Sequence, residues 1–187
     1  MDLETEILRE HSKRQTVRIA RWIGPDKRRF GELMGLLLHG DPIVTQRAAW
    51  ILSSCYEFHP QLIKPWLPAL LKKMQEPGVH DALRRNVVRL LSCADIPTSL
   101  LGKVVSLCFD YLNAVDTPIA VRVHAMTVLQ KVAEREPDLG HELQTSLELM
   151  MPYVGPAVGA RAKIVMKRLE RLDNKRQRGS VRPKESK

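Results

Sequence analysis

Cysteine is scarce: the 187-residue chain has three, at positions 55, 93 and 108. No two stand in a CxxC spacing and the count is odd, so neither a disulfide framework nor a metal cluster is expected. The thiols read as reduced, buried small hydrophobes. Aromatic residues make up only 5% of the chain, which leaves little support for a surface that stacks successive bases. Long hydrophobic runs are missing as well. LMGLLL from Leu33 and LELMMPYV from Leu147 fall far short of the roughly 20 apolar residues that span a bilayer. The opening MDLETEILREH carries acids where a secretory leader would be basic and then apolar. These absences lead to the expectation of a cytoplasmic protein without a membrane span.

Catalytic and cofactor motifs are equally sparse. The six histidines, at 11, 39, 59, 80, 124 and 141, form no HExxH and no Cys/His cluster. There is no GxGxxG, no GxxxxGK[ST] and no GxSxG, so phosphate-cradling and nucleophile-elbow chemistry lose their usual scaffolds. The reading is a non-enzymatic chain with no cofactor, no metal and no catalytic residues.

What is present is apolar periodicity and a lopsided charge. With 44% hydrophobic residues the chain can bury one sizeable core, and its length predicts one domain. The formal net charge is +9. Residues 24–156 contain 14 basic and 14 acidic side chains, whereas residues 157–172 and 173–187 each carry +4. The basic excess therefore sits at the C-terminal end.

Taken in order, every segment has the helical period and none reads as a strand. Residues 3–23 predict one long helix with Asp2 as its N-cap. Asp26 caps a second, from about Lys27 to His39, whose core face uses Phe30, Leu33, Met34, Leu37 and Leu38. Gly40-Asp41-Pro42 opens a helix from Ile43 to Phe58, with proline where its missing donor costs nothing. The stretch from Gln61 to Met74 is helical with a kink or a later start at Pro68. Helices follow over about 79–93, from Thr98 or Ser99 onward, from Ala120 to Glu136, from Leu139 to Val154, and from Ala157 to about Leu172. The remainder, 173–187, is a basic tail expected to be disordered.

A repeat runs through this order. Gln46, Arg84, Arg122 and Arg161 recur about every 38 residues, a period in the range of two-helix repeats, and each opens an apolar helical run. A second register, counted from Asp41 and Asp116, places Arg47 opposite Arg122 and disagrees with the first by one position. The residues Asp41, Pro42, Arg47, Ala49 and Leu52, then Arg84, Val87, Val88 and Leu91, then Asp116, Pro118, Arg122, Ala125, Val128 and Leu129, and last Arg161, Ile164 and Val165 form a pattern that resembles HEAT repeats. The resemblance covers residues 25–172. It implies an all-α fold, a right-handed α-α superhelix of stacked antiparallel helix pairs with about eight or nine helices in one domain over 1–172. It also implies a concave face, built from the second helices, that takes a protein partner.

The repeated arginines have two readings. In one they pair with aspartates in the turns and hold successive units in register. In the other, Arg84, Arg85, Arg89, Arg122, Arg161, Lys163, Lys167, Arg168 and Arg171 attract an acidic partner. The expected function is a monomeric scaffold or adaptor binding a protein along its concave face, with the basic C-terminal end as electrostatic anchor. The alternative is nucleic-acid binding through the last helix and tail, where Arg161, Lys163, Lys167, Arg168, Arg171, Lys175, Arg176 and Arg178 could neutralise phosphates. A third is an enzyme similar to the helical DNA glycosylases, which would need one of Trp22, Trp50 or Trp66; Trp50 reads instead as core.

Overall fold

Ten α-helices and three short 3-10 turns build the chain in a computed structural model that describes residues 1–180, with side chains through Gln177. Helix α1 (Leu3–Arg9) starts where expected, the Asp2 carboxylate accepting from the Thr5 N–H at 2.9 Å. The single long helix expected over 3–23 is instead two, because the chain leaves the helix at Glu10 and α2 (Lys13–Ile23) begins afresh. Ser12 is the cause. Its hydroxyl accepts from the Gln15 N–H at 3.1 Å, satisfying an orphan donor that a continuous helix would not have. Gln15 then reaches back across the break, its Nε2 donating to the Glu6 carbonyl at 2.8 Å and to the Glu6 carboxylate at 2.9 Å. That bond first, then the Arg18 and Arg9 guanidiniums, hold the Glu6 carboxyl below its ordinary value.

Gly24, at φ +53°, ends α2 in a conformation that suits glycine. Helix α3 (Lys27–His39) follows, with Asp26 accepting from the Arg28 and Arg29 N–H groups and with Phe30, Leu33, Met34 and Leu37 buried. Leu38 is only half-buried. Gly40 and Asp41 then turn the chain into α4 (Pro42–Phe58). A β-carbon at Gly40 would stand 2.4 Å from the Leu36 carbonyl oxygen, so this connection needs glycine. Asp41 precedes the helix but its side chain makes no capping bond; Thr45 Oγ1 instead donates to the Gly40 carbonyl at 3.1 Å.

The proline-rich stretch forms two 3-10 turns, Pro60–Leu62 and Lys64–Trp66, before α5 (Leu67–Met74), so Pro68 marks a later helix start. Helix α6 (Asp81–Cys93) is capped by His80, whose Nδ1 accepts from the Ala82 N–H at 3.0 Å. Then come α7 (Thr98–Asn113), α8 (Ile119–Ala133), α9 (Pro137–Met150), a 3-10 turn at Met151–Tyr153, and α10 (Pro156–Ser180).

The chain divides into two compact units, Met1–Val104 and Val105–Lys187. In the first, α4 lies at the centre, packed against α1, α2, α3 and α6. Its buried Ser53 donates to Asn86 Oδ1 at 3.0 Å, while Asn86 Nδ2 donates to the Ala82 carbonyl at 2.7 Å, a satisfied polar link between α4 and α6. In the second unit, α8 packs against α9 and α10.

Burial decides the register of the repeat. Val44, Thr45, Ala48, Ala49 and Leu52 of α4 are buried, and one constant step carries them to Ala82, Leu83, Asn86, Val87 and Leu90 of α6, all buried too. The same step carries Leu83, Val87, Val88, Leu90 and Leu91 to the buried Val121, Ala125, Met126, Val128 and Leu129. A step shorter by one position carries Val121, Ala125, Val128 and Val132 to Val158, Ala162, Val165 and Leu169. Gln46, Arg84 and Arg122 are thus equivalent, Arg47 corresponds to Arg85, and Arg161 falls two positions beyond the residue equivalent to Arg122, which is Gly159.

Helix α10 continues past Leu172, where the sequence predicts its end, to Ser180. Arg176 accounts for the extension: its Nη2 donates to the carbonyls of Ala133 and Glu134 at 3.3 and 3.0 Å, and its Nη1 pairs with Asp173 at 3.5 Å. Residues 181–187 of the expected tail and the Arg178 side chain lie outside the described residues.

The cysteines depart in part from expectation. Cys55 and Cys108 are buried, and burial pushes each thiol up to about 12, but Cys93 is exposed. At pH 8 a thiol reagent is therefore expected to modify Cys93 alone in the native chain and all three after denaturation. Rapid native labelling of a second thiol would contradict this packing.

Candidate partner-binding surface

Most of the arginines singled out by the repeat are occupied within the fold, and mainly by backbone. The last carbonyls of a helix have no intrahelical partner and carry the negative end of its dipole, which suits a guanidinium. Arg47 of α4 donates from Nη1 to the Ile7 and Leu8 carbonyls of α1, at 3.2 and 2.7 Å. Arg29 of α3 donates to the Trp22 carbonyl near the end of α2 at 2.6 Å and lies 4.4 Å above the Trp22 ring. Arg84 of α6 approaches the Met74 carbonyl, the last residue of α5, at 3.4 Å. Arg122 of α8 donates to the Ala114 carbonyl just past α7, and Arg176 does the same for the end of α8.

The expected pairing with turn aspartates is accordingly a minor feature. Arg84 pairs with Asp81 at 3.1 Å, but the two stand one turn apart on the same helix. Among the described residues, neither Asp41 nor Asp116 forms an ion pair with Arg47 or Arg122. Arg161 is half-buried and donates to Thr127 Oγ1 and Gln130 Oε1 of α8, each at 3.1 Å.

Two more of the candidates are spent on exposed ion pairs. Arg89 meets Glu57 at 3.1 Å and Arg168 meets Glu134 at 3.1 Å. Arg85, Lys163, Lys167 and Arg171 remain, all exposed and without an ion pair among the described residues. Three of these form one feature. Lys163, Lys167 and Arg171 recur every fourth residue of α10, the spacing that places side chains one above another on a helix face, and Lys175 continues it. These residues are among the sequence candidates, but nothing in the sequence separates them from the occupied arginines.

The tryptophans are half-buried, so Trp50, expected in the core, lies at its edge. Trp50 meets His11 edge-on at 5.2 Å between ring centroids, Trp22 lies under Arg29, and Trp66 sits beside Gly31. No group of three or more His, Cys, Asp or Glu side chains could hold a metal ion among the described residues, and none of their helices is long and apolar enough to cross a membrane.

No curated protein and no solved structure matches the chain. The HEAT repeat domain does match, over residues 3–169. Helices whose buried positions recur at a near-constant step across that span place the chain in the HEAT repeat family.

Proposed function

We propose that this protein is a non-enzymatic cytoplasmic adaptor that holds an acidic protein partner, with the exposed face of α10 as its electrostatic anchor. HEAT repeats generally serve as scaffolds, offering extended helical surfaces to other proteins. The observation that carries the reading is the stripe Lys163, Lys167 and Arg171: three exposed cations in line, in a fold that engages most of its repeat arginines internally. Exposed rim charges of this kind steer encounter and fix orientation. Three free thiols fit a reducing compartment.

The test compares the full chain with its Lys163→Glu/Lys167→Glu/Arg171→Glu variant. Each reversal turns an attraction into a repulsion, about 1 kcal/mol per site, so affinity for the partner should fall about a hundredfold or more. Thermal stability should stay within about 0.5 kcal/mol, since all three side chains are exposed. Cross-linked recovery from native cells should yield an acidic protein with the wild type and lose it with the variant. Repeated recovery of the chain alone would sink the reading. A salt titration with duplex and single-stranded DNA and RNA is the counter-test. Saturable binding with a slope of roughly −2.7 in log affinity against log salt, as three neutralised phosphates on duplex DNA require, and abolished in the variant, would replace the protein partner by nucleic acid.

A further inference from the structure

We infer that an open groove in the second unit binds a peptide segment of a partner protein in which an Asp or Glu stands between large apolar side chains. This inference is independent of the basic stripe on α10. The groove encloses about 460 Å³ and is lined chiefly by Leu112, Val115, Arg122, Leu149, Met150 and Tyr153. Its volume falls in the range of about 300–1,000 Å³ typical of ligand-binding clefts. No acidic side chain lines it.

Three of its apolar residues face solvent to a degree that folding does not explain: Val115 is 95% exposed, Leu149 70% and Tyr153 87%. Scattered singly they would need no account, but gathered around one concavity they mark a surface that is covered by something else. The charge in the groove says what kind of segment covers it. Arg122 is half-buried, its Nη2 engaged by the Ala114 carbonyl, while its Nε is buried without a hydrogen-bond partner. A guanidinium among apolar side chains attracts a carboxylate more strongly than one in open water, because the local dielectric is lower, and it repels cations for the same reason.

Capture of a terminal carboxylate relies on a nest of backbone N–H groups. The lining of this groove instead includes the last turns of α7 and α9, helix ends that leave carbonyls rather than N–H groups unpaired, beside the Arg122 side chain of α8. The segment is therefore internal to its protein, and its acid is a side chain.

Selection of random end-capped dodecapeptides by display on the immobilised full chain provides the probe. Enriched peptides should carry Asp or Glu flanked by Leu, Ile, Met or Phe. A synthetic peptide of the enriched type, followed by fluorescence anisotropy, should lose about tenfold in affinity when its acid becomes Gln or Asn and more when it becomes Lys. It should lose at least as much against the Leu149→Ser/Tyr153→Ala variant, whose melting temperature should not move because both positions are exposed. Its affinity for the Lys163→Glu/Lys167→Glu/Arg171→Glu variant should be unchanged, which separates this site from the α10 face. The inference is overturned if no peptide is enriched, if acid, amide and lysine peptides bind alike, or if the Leu149→Ser/Tyr153→Ala variant binds as well as the wild type. It is equally overturned if sedimentation shows wild-type self-association that this variant abolishes, since the occupant would then be a second copy of the chain.

Discussion

Replacing Leu52 with alanine is expected to cost the first unit about 3–5 kcal/mol, near the top of the range for a buried leucine. Leu52 is fully buried on α4, and α4 is packed against α1, α2, α3 and α6. A cavity surrounded by helices on several sides cannot collapse by shifting one wall, so the lost transfer energy and the residual void add. In calorimetry the transition of this unit should move down by at least about 10 °C. Leu149→Ala, on a side chain 70% exposed, should shift stability by no more than about 0.5 kcal/mol. A cost below about 1 kcal/mol at Leu52 would mean that α4 is not the centre of the unit.

Arg47→Met should lower stability by about 2 kcal/mol, through the loss of charged donors rather than of bulk. The thioether chain retains much of the arginine stem, but the Ile7 and Leu8 carbonyls lose a charged partner at 3.2 and 2.7 Å. A hydrogen bond from a charged donor contributes about 1.5–3 kcal/mol, and the partial exposure of this site, with Leu8 45% exposed, keeps the sum of two near the lower figure. The loss should be local. Hydrogen exchange should quicken in α1 well before it does in α4, and Arg47→Lys should restore only part of the protection, because a single ammonium does not present the same planar fork. Arg85→Met, at an exposed position without an ion pair, is the matched control and should be silent. Equal losses at Arg47 and Arg85 would contradict the clamp.

The repeat is legible in the sequence because its evidence is periodic apolar identity, which is carried at every position. Val44, Ala49 and Leu52 foreshadow Ala82, Val87 and Leu90 whatever the surrounding loops do. The last step comes out two positions off when arginine identity, rather than burial, is used to align Arg161 with Arg122. The break between α1 and α2 does have a signal, the Ser12 and Gln15 spacing of a capping box, hidden inside a run of good helical periodicity. The guanidinium clamps are harder to foresee. An aspartate partner has a letter in the sequence, whereas a backbone carbonyl does not, so Arg47 on Ile7 and Arg122 on Ala114 leave no pairwise trace. The end of α10 escapes the sequence for the same reason, since the tie from Arg176 to Ala133 and Glu134 is to backbone. Val115, Leu149 and Tyr153 are illegible as a groove because their residue types are those of a core, and only their exposure tells them apart.

The two ties that secure α1 differ in how they answer to acid. Glu6 keeps its carboxyl below the ordinary value of 4.5 through Gln15, Arg18 and Arg9, so its stabilisation is complete above that value and fades as pH falls through the lowered one. Arg47 donates instead to the Ile7 and Leu8 backbone carbonyls, which offer no carboxylate for acid to neutralise. Acidification therefore loosens the start of the chain without releasing it, leaving α1 tethered to α4 at a pH where a ladder of arginine–aspartate pairs would already have come apart.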